Sequence, residues 1–219
     1  MKKLTTLLVM LLFTAGMAIG QDNDATIDQT GDEAEATITQ ISDNVGDNEA
    51  SIEQLQANSN YTASILQDGD QNVASIFQDE GNQKRSVIEQ VGDRNDASVT
   101  VVGGGAIDLS DASDIYQTGN DNEASISMDL ISNGSSTITQ TGDENKGFVI
   151  ALDSGIADIT QLGDENYASI DSGFFSSGST AYITQDGDFN TGYIVQGTAG
   201  NDATINQNGD SNTSTITQN

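Results

Sequence analysis

The sequence has no cysteine, no histidine, no proline and no tryptophan, and only six Lys and Arg among 219 residues. Without cysteine, no disulfide staples the fold and no thiolate serves as nucleophile or soft metal ligand. Without histidine, the commonest acid–base side chain at neutral pH is missing. The absence of proline removes the usual breaker of stacked strands, because proline lacks the N–H that a ladder needs. The shortage of cations argues against nucleic acid and anionic membrane surfaces as partners, since both are bound by clustered Lys and Arg. Acidic residues number 34, giving a formal charge of −28. Low hydrophobicity with high charge ordinarily points to disorder. Here the apolar residues are few but strictly placed, and placement overrides the average. Carboxylate pairs recur too regularly to mark a catalytic site, so neither an enzyme nor a cofactor or metal centre is expected.

Lys2 and Lys3 precede an apolar run from Leu4 to Ala15, and Ala18-Ile19-Gly20 offers small residues for cleavage. This reads as a secretory signal over residues 1–20, too short for a spanning helix. Residues 21–219 are then one exported repeat domain with no membrane insertion.

That domain repeats. The skeleton Q-x-G-D-x-N-x-A-x-I-x-Q runs from Gln67 to Gln78 and recurs with single changes from Gln90, Gln117, Gln140, Gln161, Gln185 and Gln207. Reduced to its core it is small-x-Ile-x-Gln, and it occurs seventeen times. Thirteen copies keep both residues: Ile27 and Gln29, Ile38 and Gln40, Ile52 and Gln54, Ile65 and Gln67, Ile76 and Gln78, Ile88 and Gln90, Ile115 and Gln117, Ile138 and Gln140, Ile159 and Gln161, Ile183 and Gln185, Ile194 and Gln196, Ile205 and Gln207, Ile216 and Gln218. The other four, centred on Val99, Ile126, Val149 and Ile170, close on Val101, Met128, Ala151 and Ser172. Period-two alternation around a β-branched residue predicts strands with one face turned to an interior. A further inward row is expected from Asn72, Asn95, Asn122, Asn145, Asn166, Asn190 and Asn212.

Connectors alternate in kind. One set carries Gly-Asp or Gly-Asn at Gly46, Gly69, Gly92, Gly119, Gly142, Gly163, Gly187 and Gly209, spaced by 23, 23, 27, 23, 21, 24 and 22 residues. The other set varies in length. The expected fold is all-β: a two-sheeted β-solenoid of about eight strand-turn-strand rungs, about 23 residues each, with strict arcs on one edge and variable arcs on the other. Gly31-Asp32 falls on the variable edge by this count. Successive rungs about 4.8 Å apart put identical residues in ladders, so stacked Gln and Asn amides bond to one another.

Soluble solenoids hide their terminal edges under capping repeats. Here the first strand closely follows the expected cleavage point and the last ends at Gln218, so a template for end-to-end growth is expected at each end. Along the strict edge, Asp47, Asp70, Asp93, Asp143, Asp164, Asp188 and Asp210 are expected to stack. Turn chemistry and solubility explain them; as a sharper alternative, neighbouring carboxylates repel by on the order of 1 kcal/mol even in water, so acid near pH 4 to 5, screening salt or calcium favours stacking. The four copies that lack the closing Gln fall on one sheet in consecutive turns, either by drift or as a dry stretch. Outward aromatics (Phe77, Tyr116, Phe148, Tyr182, Tyr193) read as scattered over both sheets. Outward Thr pairs such as Thr137/Thr139 suggest an alternative, a surface-binding solenoid (adhesin, calcium- or ice-binding), though Ser75/Phe77 and Val87/Glu89 interrupt any continuous array.

At the skeleton the chain resembles the curlin family, the repeat proteins of bacterial curli fibres. The family spacing is met in full by Gln67, Gly69, Asn72, Ala74 and Gln78; Gln90, Gly92, Asn95 and Ala97 match until Val101, and Gln161, Gly163, Asn166 and Ala168 match until Ser172. Family repeats usually carry Ser six residues before the first Gln, which only Ser179 does here; Tyr61, Lys84, Asp111, Gly134, Gly155 and Asn201 stand elsewhere. The resemblance implies a strand-turn-strand rung, export through an outer-membrane pore, a nucleator subunit as partner, and polymerisation of the protein with itself into an extracellular amyloid fibre of adhesion and biofilm matrix.

Overall fold

The computed structural model describes residues 23–31, 34–42, 46–57, 61–81, 84–103, 112–130, 134–151, 155–173 and 178–219. The expected leader, 1–20, and most of the variable arcs lie outside the described residues. Each core unit forms a strand because its β-branched centre and alternating pattern suit a pleated, one-sided surface. The strands are β1 (Asp24–Gly31), β2 (Ala34–Ile41), β3 (Glu49–Ala57), β4 (Tyr61–Asp68), β5 (Val73–Asp79), β6 (Arg85–Val91), β7 (Asp96–Gly103), β8 (Ala112–Thr118) and β9 (Glu123–Leu130). They continue as β10 (Ser135–Thr141), β11 (Lys146–Ala151), β12 (Gly155–Leu162), β13 (Tyr167–Ser172), β14 (Ser179–Asp186), β15 (Thr191–Gln196), β16 (Asp202–Asn208) and β17 (Thr213–Gln218).

Odd-numbered strands make one nine-stranded sheet and even-numbered strands one eight-stranded sheet, each in simple order and parallel throughout. This is the two-sheeted β-solenoid with about 23 residues per turn. Register follows the repeat. In the nine-stranded sheet Ile27, Ile52, Ile76, Val99, Ile126, Val149, Ile170, Ile194 and Ile216 lie in one row. In the other, Ile38, Ile65, Ile88, Ile115, Ile138, Ile159, Ile183 and Ile205 form the facing row. A slip of one residue would turn every Ile to water, so burial of one face holds the register. The core is this double row with the small residues beside it; Ile27, Ile38 and Ile216, in the end strands, are only partly buried.

The two sheets are offset by half a rung. Gln40 Nε2 on β2 donates to Asp24 O at the start of β1 and to Asn48 O just before β3, both at 3.0 Å. Gln196 on β15 likewise reaches Thr180 O on β14 (3.0 Å) and Asn201 O before β16 (3.1 Å). Each strand therefore sits level with the gap between two strands of the opposite sheet, as on a continuous winding path. Strict arcs join even to odd strands and stack on one edge; Gly69, Gly92, Gly119, Gly142, Gly163 and Gly187 each have the next rung's arc glycine directly above.

Candidate functional site: the ladders and the open ends

Three ladders run along the stack. In the eight-stranded sheet the glutamines form an unbroken column: Gln40, Gln67, Gln90, Gln117, Gln140, Gln161, Gln185 and Gln207, each Nε2 donating to the next Oε1 at 2.8–3.0 Å. From Gln67 onward each amide also donates to a carbonyl of the opposite sheet, as Gln117 does to Asp96 O at 3.1 Å. Gln67 through Gln207 are buried, and the hydrogen bonds make that burial tolerable.

The second ladder is asparagine. Asn72, Asn95, Asn122, Asn145, Asn166 and Asn190 are buried, and Asn212 sits half-buried at the end. Each one below Asn212 accepts, on Oδ1, the backbone N–H of the asparagine above; Asn122 Oδ1 takes Asn145 N at 3.0 Å. Most also donate from Nδ2 to the glycine carbonyl of the next arc, as Asn122 does to Gly142 O at 2.8 Å. Two members were missed in the sequence. Asn48 is buried and accepts from Asn72 N at 2.8 Å, and Asn23 accepts from Asn48 N at 3.2 Å. The third ladder is the strict arc, where the carboxylate above caps the main chain below: Asp70 N donates to Asp93 Oδ1 (2.9 Å) and Asp143 N to Asp164 Oδ1 (2.8 Å).

This ladder corrects one expectation. Asp47 is not in the aspartate stack. Gln71 N donates to Gly46 O just as Arg94 N donates to Asp70 O, so Gly46 lies beneath Asp70 and Asp47 beneath Gln71. Gly46-Asp47-Asn48 is one residue shorter than Gly69-Asp70-Gln71-Asn72, and the buried Asn48 sets the register from the strand side. Asn120 takes the aspartate position after Gly119, its Oδ1 receiving Asp93 N at 3.0 Å.

In the nine-stranded sheet the glutamine column is split. Gln29, Gln54 and Gln78 are bonded at 2.6 and 2.8 Å, and Gln196 donates to Gln218 at 3.1 Å. Between them lie Val101, Met128, Ala151 and Ser172 in the same row, all buried. The ends of the gap are closed by hydroxyls: Gln78 Nε2 donates to Ser86 Oγ at 2.8 Å and Ser172 Oγ to Gln196 Oε1 at 3.2 Å. Across the core, Ser113 Oγ donates to Met128 Sδ at 2.9 Å. An amide placed alone in this gap has no amide above or below. Met128→Gln is therefore expected to lower the denaturant midpoint, by on the order of 1–2 kcal/mol. The quadruple change of Val101, Met128, Ala151 and Ser172 to Gln is expected to recover that loss by joining the two column segments. Equal effects of the single and quadruple variants would favour neutral drift.

The four basic side chains among the described residues are all engaged with neighbouring groups of the stack. Arg85 bonds Asp114 at 2.7 Å, Arg94 bonds Asp121 at 2.6 Å and Lys146 bonds Glu123 at 2.8 Å, each across neighbouring rungs. Lys84 is buried. Its Nζ donates to Asp79 O (2.6 Å) and Val101 O (2.9 Å) and lies 5.7 Å from the Tyr61 ring centroid. Burial, with Asp79 and Glu80 adding to it, pushes the Tyr61 hydroxyl up to about 12. Among the described residues no group of three or more acidic side chains converges to hold a metal ion. The outward aromatics are less scattered than the sequence suggested: Phe148, Tyr167 and Tyr193 run diagonally over the nine-stranded sheet with centroids 5.7 and 5.4 Å apart.

Two outward carboxyls carry a pH dependence. Burial raises Asp158 above its ordinary value, against the opposing hydrogen bonds from Thr137; burial and then the Glu123 charge raise Asp96. A carboxyl raised in the folded state binds its proton more tightly than in the unfolded chain. Its charge thus weakens the stack at neutral pH, and stability rises as pH falls through the raised value toward the ordinary carboxylate range. Asp121, lowered by its bond to Arg94, acts in the opposite sense but is solvent-exposed. Asp158→Asn, which keeps an acceptor for Thr137 N, is expected to raise the midpoint at pH 7 and flatten its pH slope down to about pH 4. An unchanged slope contradicts this assignment.

What the geometry offers is a column of amides and main-chain groups that is satisfied rung by rung by its neighbours, with Asn190 Nδ2 as an unpartnered exception. The curlin associated repeat matches residues 20–55, 157–187 and 177–209. In these segments the chain carries curlin-type repeats. No curated protein matches it significantly. The matched segments contain the ladder residues Gln29, Gln40, Gln54, Gln161, Gln185, Gln196 and Gln207, so the curlin repeat and the amide columns are the same feature.

Proposed function

We propose that this protein is a non-catalytic structural subunit that self-assembles end to end into an extracellular, curli-like amyloid fibre serving adhesion and biofilm matrix. The observation that carries this reading is the pair of open ends. Among the described residues, β1 and β2 at one end and β16 and β17 at the other each have one unpaired edge. The ladders are directional, with Nε2 of each lower rung meeting Oε1 of the upper. The two ends are therefore complementary: amide donors at the β16–β17 end and amide acceptors at the β1–β2 end. A parallel stack with identical residues in register and open edges is a template for cross-β growth. Export by a leader, an outer-membrane pore and a nucleator subunit belong to the same proposal.

The test is to purify the chain under denaturant and dilute it. Fibres with a meridional spacing near 4.8 Å, growing from seeds at a rate set by monomer concentration, are the expected result. A monomer that stays soluble and folded for days would overturn the reading in favour of a surface-binding solenoid.

A further inference from the structure

We infer that successive copies in the fibre dock with a half-turn about the fibre axis, so that the nine-stranded sheet of one copy continues into the eight-stranded sheet of the next. The inference rests on the end-to-end reading above and specifies its junction.

The argument starts from parity. The described strands number seventeen, so both the first and the last, β1 and β17, belong to the nine-stranded sheet. Because the sheets are offset by half a rung, each end is a step. At one end β17 stands half a rung beyond β16, and at the other β1 stands half a rung beyond β2. If copies stacked in the same orientation, β17 would meet β1 step against step, and a gap one strand wide would separate β16 from β2 of the next copy. That gap would leave two rows of main-chain N–H and C=O groups and the Ile205 side chain without neighbours. A half-turn sets the steps into each other. The next copy's β1 then lies on β16, and its β2 lies on β17.

Side chains accept this arrangement. On β16, Ala203, Ile205 and Gln207 meet Ala25, Ile27 and Gln29 of the next copy, small on small, Ile on Ile and amide on amide. On β17, Ser214, Ile216 and Gln218 meet Ala36, Ile38 and Gln40. Gln207 and Gln218 bring the donors, and Gln29 and Gln40 bring the acceptors.

Two irregularities of the sequence acquire a reason. Variable arcs in the interior place Tyr61, Lys84, Asp111, Gly134, Gly155 or Ser179 two residues before the core unit, but the last one places Asn201 there. The half-turn sets Asn201 directly beneath the next copy's Asn23, which begins that copy's asparagine ladder through Asn48. The arc 197–201 also has the five-residue length of the strict arcs, such as 186–190. At the other end, Gln29-Thr30-Gly31-Asp32 carries the strict Gly-Asp signature on the variable edge. With a half-turn Gln29-Thr30-Gly31 falls on Gln207-Asn208-Gly209, on the strict edge of the copy below. Same-orientation stacking explains neither feature.

The absence of native cysteine makes the junction easy to probe. Asp28, Asn206 and Thr217 all point outward and are exposed. A half-turn brings Asp28 of one copy beside Asn206 of its neighbour, at about 4.8 Å between strands, within reach of a disulfide. Same-orientation stacking brings Asp28 beside Thr217 instead. The full chain carrying Asp28→Cys with Asn206→Cys, and a second chain carrying Asp28→Cys with Thr217→Cys, are assembled, oxidised and run on non-reducing gels after depolymerisation. The first is expected to yield a covalent ladder of oligomers and the second only monomer. A ladder from the second pair alone, or from neither pair in fibres that form normally, overturns the half-turn while leaving the fibre reading intact. Failure of the unsubstituted chain to form fibres at all removes the fibre reading and the junction with it.

Discussion

Gly119→Ala is expected to abolish the folded stack, not merely weaken it. The residue sits at φ +118°, a region that side-chain-bearing residues rarely adopt, and a Cβ there would lie 2.1 Å from Gly142 O and 2.8 Å from Gly142 C. Both obstacles are backbone of the next rung, which cannot rotate away as a side chain tip can. Relief requires the strict arcs to separate locally, and that breaks Gly142 N to Thr118 O (3.0 Å) and Asn120 N to Asp143 Oδ1 (2.7 Å) as well. Backbone strain and lost hydrogen bonds together place the loss above about 4 kcal/mol, large against the stability of a single domain. Gly178→Ala is the control. Its φ of +73° also disfavours alanine, but nothing lies within 4 Å of the added Cβ. It should cost only about 1–2 kcal/mol. Circular dichroism and the denaturant midpoint read both, and comparable losses in the two variants would disprove the close-approach argument.

Asn122→Leu is the second severe change. Asn122 is buried and ties main chain to main chain: Oδ1 accepts Asn145 N at 3.0 Å and Nδ2 donates to Gly142 O at 2.8 Å. Leucine leaves both of those backbone groups without these partners inside the stack, at about 1–3 kcal/mol each. The loss expected is about 3–5 kcal/mol. Gln117→Leu, at an equally buried position, should be milder. Gln117 bonds Gln90 and Gln140, and Gln90 keeps its second bond, to Val73 O at 2.9 Å. Chiefly the Gln140 amide oxygen is orphaned, for about 1–2 kcal/mol. The asparagine column thus anchors the arcs, while the glutamine column fills the interior with self-satisfying amides. Chevron or equilibrium denaturation of the paired variants tests the ranking, which fails if the glutamine change proves the more damaging.

The same contrast shows why some residues were harder to read than others. Asn72 and its later equivalents were legible because each stands three residues after a Gly in a constant frame. Asn48 was not, since it stands two residues after Gly46 instead of three, and the Gly-to-Gly spacing of 23 between Gly46 and Gly69 concealed that Ser42, not Gly46, lies beneath Gly69. Lys84 was read only as a departure from the usual serine, because burying an ammonium depends on three-dimensional neighbours, here Asp79 O, Val101 O and the Tyr61 ring. The Phe148–Tyr167–Tyr193 run escaped notice for a similar reason. Tyr167 lies one position before its core unit and meets the other two rings only on the diagonal between adjacent strands.

Strand number, the inward identity of each strand and the separation of strict from variable arcs were all present in the linear pattern, because period-two alternation and repeat spacing are local and survive without coordinates. Register within the arcs, the half-rung offset and the direction of the amide ladders came from the folded stack, because they depend on which groups of one rung meet those of the next. The closing glutamines illustrate the division. Their absence at Val101, Met128, Ala151 and Ser172 is plain in the sequence. That Ser86 and Ser172 hydroxyls close the two ends of the gap, while Ser113 faces the Met128 sulfur, follows only when the opposing sheets are brought together and each buried polar atom must find its partner.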